Sequence, residues 1–97
     1  NIPVVTVVNN NHGLLQDKRG DDRGYANVPG ANSADLWDFT DVDMAKVAES
    51  MGAFGIRVER PGDIQSALEQ ALASGRPAVV DVVTDPADSE APVPWAP

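Results

Sequence analysis

Two runs dense in β-branched residues, Ile2-Pro3-Val4-Val5-Thr6-Val7-Val8 and Ala78-Val79-Val80-Asp81-Val82-Val83, limit what this chain can fold into more than any other feature. Such runs read as strands buried on both faces, the condition of strands in a parallel sheet covered by helices. Between them, Met44, Val47, Ala48 and Met51 recur at helical spacing and Gly52 follows as a stop, so a helix is predicted over 41–51. Thr40 is the expected cap of that helix, with Asp43 favourable toward its positive end. Phe54-Gly55-Ile56-Arg57-Val58-Glu59 alternates apolar and polar residues before Pro61-Gly62, the pattern of a short strand. Asp63 is expected to cap a second helix whose stripe is Ile64, Ala67, Leu68, Ala71 and Leu72, ending at Gly75.

The order is strand, long polar loop, helix, strand, helix, strand. It predicts an α/β fold: a three-layer, Rossmann-like parallel sheet with right-handed crossovers. With 97 residues the chain makes at most one domain with a modest core, and three strands leave at least one apolar sheet edge without a neighbour. The sheet is therefore expected to be the C-terminal part of a larger domain, occupying residues 1–85, unless a partner covers the edge. Residues 86–97, rich in proline and without periodicity, are expected to form an extended arm, either a plain terminus or a lid over a site.

Composition removes several classes of function. Seven basic residues against 15 acidic ones give a net charge of −8, unfavourable for nucleic acid or anionic lipid. There is no cysteine, so disulfides, thiolate chemistry and thiolate metal sites are excluded. No apolar run approaches membrane-spanning length and no signal peptide is visible, which favours a cytoplasmic location.

The chemistry is expected where the first run stops, at Asn9-Asn10-Asn11. Open parallel sheets bind ligands beyond the carboxyl ends of their strands. Asparagine offers a neutral carbonyl oxygen there, suited to a hard cation such as Mg²⁺ that must also accept phosphate oxygens. The competing reading is a turn, because asparagine tolerates left-handed backbone. His12 is either a substrate-facing acid or base or a solvent-exposed loop residue. Asp17, Asp21 and Asp22 with Lys18, Arg19 and Arg23 read as a solvated face, Gly20-Asp21-Asp22 as part of a loop, and Trp37 and Phe39 as anchors of that loop to the core. No catalytic residue is legible.

Three blocks, residues 1–11, 42–59 and 75–85, resemble the C-terminal diphosphate-binding domain of thiamine-diphosphate enzymes. The likeness is to the acetolactate synthase, benzoylformate decarboxylase and oxalyl-CoA decarboxylase group. It is most specific in the middle block and weakest between Leu14 and Phe39. The resemblance implies thiamine diphosphate and Mg²⁺ as cofactors, held by a motif that begins Gly-Asp-Gly and ends in Asn-Asn. It puts Asn10, Asn11, His12 and Gly13 at the cofactor, with Asn11 and the carbonyl of Gly13 as the expected metal ligands; a register one earlier uses Asn10 and the carbonyl of His12. It further implies a lyase or transferase, acetolactate synthase-like or a decarboxylase, that cleaves or forms the bond next to the carbonyl of a 2-oxo acid or a related substrate. The Gly-Asp-Gly segment and the pyrimidine-binding domain lie outside this sequence, so these residues alone are expected to be inactive, and a homodimer or homotetramer is expected. The rival is a non-catalytic Rossmann-like binding module whose Asn loop is only a turn.

Overall fold

A computed structural model describes residues 2–86, which fall into two compact units. Among the described residues, the first comprises 2–10 and 41–84, the second 11–40 with 85–86. The expected arm over 86–97 lies, apart from Pro86, outside the described residues.

The first unit is a three-stranded parallel sheet, β1 (Val5–Asn10), β2 (Phe54–Val58) and β3 (Ala78–Val83), in the order β1-β3-β2. β3 matches its predicted bounds. It is also the strand to which burial on both faces applies: Val80 and Asp81 are 0% exposed. β1 is an outer strand, with Val7 54% exposed, and the expectation that it is buried on both faces fails here because only β3 lies beside it among the described residues.

Side chains alternate across a strand, so each residue of β3 picks a layer. Ala78, Val80 and Val82 face α4 (Ile64–Ala73), where Ala67 and Ala71 are buried and Ile64 and Leu68 pack beside Val5, Phe54, Ile56 and Val58. Alanine at two successive turns lets the helix approach the sheet closely. Asp81, Arg57 and Gly55 belong to the opposite face, against α3 (Met44–Ser50). A Cβ on Gly55 would stand 2.1 Å from the Ala45 carbonyl oxygen, a contact no side chain can make. Helix, sheet and helix are thus the three expected layers.

Details of the helices differ from expectation. α3 starts after Asp43, whose carboxylate accepts the Lys46 amide at 3.0 Å; Asp43, not Thr40, is the cap, because it stands three residues before that amide. The buried positions of α3 are Ala45 and Ala48, while Val47 and Met51 are 45% and 81% exposed, so the predicted stripe is turned by about one position. Asp63 makes no side-chain cap; it closes a short 3₁₀ turn, Pro61–Asp63, which provides the entry to α4 instead. Gly52 and Gly75, at φ 86° and 63°, end their helices as predicted.

The second unit replaces the expected polar loop with helix. α1 (Leu15–Tyr25) contains Gly20, Asp21 and Asp22, which therefore do not lie in a loop, and α2 (Ala34–Trp37) follows. α1 buries no residue, in keeping with a solvated charged face. Trp37 fastens α2 to α1: its indole donates to Asp22 at 3.1 Å, and the Lys18 ammonium stands 5.0 Å from the ring centroid. Phe39 is 51% exposed. Gly13 bridges to Asp38, with the Leu14 amide donating to the Trp37 carbonyl and the Phe39 amide to the His12 carbonyl.

Candidate functional site

The three asparagines have three different environments. Asn9 and Asn10 are the last residues of β1, so strand alternation sends them to opposite faces. Asn9 lies opposite Val82, and its side-chain oxygen accepts the Thr84 hydroxyl at 2.6 Å. Asn10, opposite Val83, is 8% exposed on the α3 face. Its amide nitrogen donates to the Val42 carbonyl at 3.0 Å and to Asp81 Oδ2 at 3.3 Å, while its main-chain carbonyl accepts the Thr84 amide at 2.9 Å. Asn11 is half-buried beyond the end of the strand.

Physics, not convention, fixes which way the Asn10 amide points. A main-chain carbonyl only accepts hydrogen bonds, and the carboxyl oxygen beside it accepts as well, so the NH₂ end of the amide must face both. The amide oxygen is held on the other side. A neutral oxygen with a set direction, at the carboxyl end of a parallel strand, is the donor that a phosphate-bound Mg²⁺ requires without added negative charge.

His12 adopts φ 63°, left-handed backbone that is uncommon outside glycine. Such conformations persist only where the surroundings impose them, and they gather at functional loops. Gly13 is held so close to Trp37 that a Cβ would stand 2.3 Å from its carbonyl oxygen. Among the described residues no group of three His, Cys, Asp or Glu side chains is placed to hold a metal, and no helix is long and apolar enough to cross a membrane.

One participant escaped the sequence reading. Asp81, the single charge within a valine strand, lies beneath Asn10 with its Oδ2 accepting the Met44 amide at 2.9 Å. The same oxygen is 3.8 Å from Arg57 Nη1, in the residue directly opposite on β2. Arg57 in turn reaches both Asp41 oxygens, at 3.0 and 3.1 Å, and this pairing, followed by the nearby Asp81, holds its guanidinium further above its usual range. The signal for Asp81 was its cost: a lone acid in a fully apolar strand needs partners.

The sequence from residue 1 to residue 82 matches the model of the thiamine pyrophosphate enzyme C-terminal TPP-binding domain. The chain belongs to that family. Its thiamine pyrophosphate-binding segment is similar to a 2-hydroxyacyl-CoA lyase of Arabidopsis thaliana, 37% identical over 89% of this chain and 15% of that protein. It is also 40% identical to the acetolactate synthase large subunit of Mycobacterium tuberculosis over 89% of this chain and 15% of that one. For the acetolactate synthase of Bacillus subtilis the identity is 32%, over 80% and 14%. The chain thus spans about a seventh of the length of these relatives. The three parallel strands in an open sheet with helices on both faces are an α/β, Rossmann-like arrangement, as the C-terminal part of a thiamine pyrophosphate-binding domain.

Proposed function

We propose that this chain is the C-terminal cofactor-binding portion of a thiamine-diphosphate and Mg²⁺-dependent lyase or transferase acting next to the carbonyl of a 2-oxo acid or its thioester. The lyase and synthase activities in the names of its relatives support that reaction class. When bound, thiamine diphosphate supplies an electron sink for the carbon whose bond is broken or formed. The residues of this chain would hold the diphosphate end: Asn10, Asn11, His12 and Gly13 would line it and offer neutral oxygens to Mg²⁺.

The observation that carries this reading is the oriented Asn10 amide. It leads us to prefer the earlier register, with the Asn10 side chain and, two residues along the chain, the His12 carbonyl as metal ligands, over Asn11 and Gly13. His12 provides the imposed backbone that such a turn demands. Its carbonyl accepts the Phe39 amide at 2.8 Å, which fixes the direction of that oxygen. The remaining parts of the site, including the Gly-Asp-Gly segment and the pyrimidine-binding domain, come from the rest of the enzyme, which we place in the cytoplasm as a homodimer or homotetramer.

The test is calorimetric titration of the full-length protein with thiamine diphosphate, with and without Mg²⁺. Binding is expected only with the metal. Asn10→Ala should weaken it about 10–100-fold, the scale typical of lost metal support, whereas Asn9→Ala should change it less than about threefold. A larger loss from Asn11→Ala than from Asn10→Ala would restore the later register. Absence of binding by the unsubstituted protein would favour a non-catalytic module.

A further inference from the structure

Asp81 is an expensive residue for its position. It is 0% exposed in the middle of the central strand, where valine would pack without desolvating a polar group. Its Oδ1 is buried with no hydrogen-bond partner among the described residues, so the carboxyl group is not there to complete a saturated network. All of its bonding converges on Oδ2. That atom receives the first amide of α3, at Met44, and the side-chain amide of Asn10 at the end of β1; the Arg57 guanidinium of β2 approaches it as well.

These contacts single out one geometric consequence. The Asn10 amide faces two acceptors, Val42 O and Asp81 Oδ2, and Asp81 is the one supplied by the rigid centre of the sheet. We propose that Asp81 is a positioning residue for the cofactor: through its hydrogen bond to the Asn10 amide nitrogen it locks the amide so that the oxygen, not the NH₂, is presented to the diphosphate-bound cation. This rests on the assignment of Asn10 as a metal ligand. Without Asp81 the amide loses the partner that the central strand supplies. Rotation of the amide then turns donor hydrogens toward a cation, which repels them. Arg57 and the start of α3 fix the carboxyl group itself, so sheet, helix and ligand share one oxygen atom.

The test uses the full-length enzyme and reads the Mg²⁺ concentration needed for half-maximal thiamine diphosphate binding by calorimetry, with thermal unfolding of the metal-free protein measured in parallel. Asp81→Val should raise that concentration about 10–100-fold, as loss of a group supporting a metal ligand does. Asp81→Asn keeps one oxygen able to accept from both Asn10 and Met44, so it should stay within about threefold of the unsubstituted enzyme. In an Asn10→Ala background Asp81→Val should add less than about a factor of two, because the bond it would break is already gone. If Asp81→Val does not fold, Asp81→Ser, too short to reach Asn10, takes its place with the same expected shift. Unchanged Mg²⁺ dependence despite lowered thermal stability, or a full additional loss in the Asn10→Ala background, overturns the proposal and makes Asp81 merely structural. Failure of the unsubstituted enzyme to bind thiamine diphosphate with Mg²⁺ overturns the functional reading first and this inference with it.

Discussion

Asp22 gathers three donors on one side chain, Lys18 at 2.7 Å, the Trp37 indole at 3.1 Å and the Ser33 hydroxyl, and this cluster links α1 to α2. The Lys18 bond, followed by that of Ser33, holds its carboxyl group down to about 2. An unfolded aspartate titrates near about 3.9, so the folded state binds its proton less readily and Asp22 favours folding above about pH 4. That contribution fades as pH falls toward about 2. Asp22→Asn should therefore lower the unfolding temperature of the full-length enzyme by a margin that is constant from about pH 7 to about pH 5 and narrows below about pH 4. Scanning calorimetry across that range checks it, and a margin that changes near pH ~6 would implicate another group. The cluster also explains what sequence reasoning could and could not see at this scale. Trp37 is an anchor, because half-buried indoles seek an acceptor, but it ties α2 to α1 rather than to the core as expected, and Phe39, 51% exposed, is not buried in a core either. Which acceptor Trp37 found was invisible, since Asp17, Asp21 and Asp22 are indistinguishable until the helix sets their directions.

At the scale of elements, α3 and β2 are joined where Gly55 passes the Ala45 carbonyl. Gly55→Ala must push the helix away from the sheet, at a cost of about 1–3 kcal/mol for an overpacked contact. The expected result is a lower denaturant midpoint for the full-length enzyme. Because the start of α3 also binds Asp81, weaker thiamine diphosphate binding should accompany it. A midpoint equal to that of the unsubstituted protein would mean that α3 can shift freely. Elements with strong periodic signals were legible: β3 because a valine run ends at Pro77 on one side and Thr84-Asp85 on the other, α4 because Ile64, Ala67, Leu68 and Ala71 mark one stripe, although Leu72, expected in it, is 70% exposed because it falls one position past the buried Ala71. α1 was not, since Gly20, Gly24 and six charged residues erase any apolar stripe, and what holds it is a Lys18–Asp22 pair one turn apart and the Trp37 contact. The asparagines were legible as a strand-end cluster. Its division into three environments was not, because it depends on the last residue of β1 and thus on the register against β3.

For the molecule as a whole, the sheet of the first unit ends on a strand that a finished sheet would cover. β1 pairs only with β3 among the described residues, and Val4 and Val7 are 57% and 54% exposed. An outer strand of that composition offers unpaired amides and carbonyls beside apolar side chains, a template for another strand. Under the proposed function, another part of the enzyme is the occupant we propose for that edge, the chain matching about a seventh of its relatives' length. The 97-residue chain alone is therefore expected to self-associate as its concentration is raised through the micromolar range, by sedimentation velocity. Val7→Lys, which places a charge on that strand, should reduce the association, as lysine does on natural sheet edges. With that edge paired by another part of the protein, the full-length enzyme should show neither behaviour. A 97-residue chain that stayed monomeric and unfolded cooperatively would point instead to a self-sufficient module, and the thiamine diphosphate assignment would lose the argument that its sheet is completed by the remainder of an enzyme.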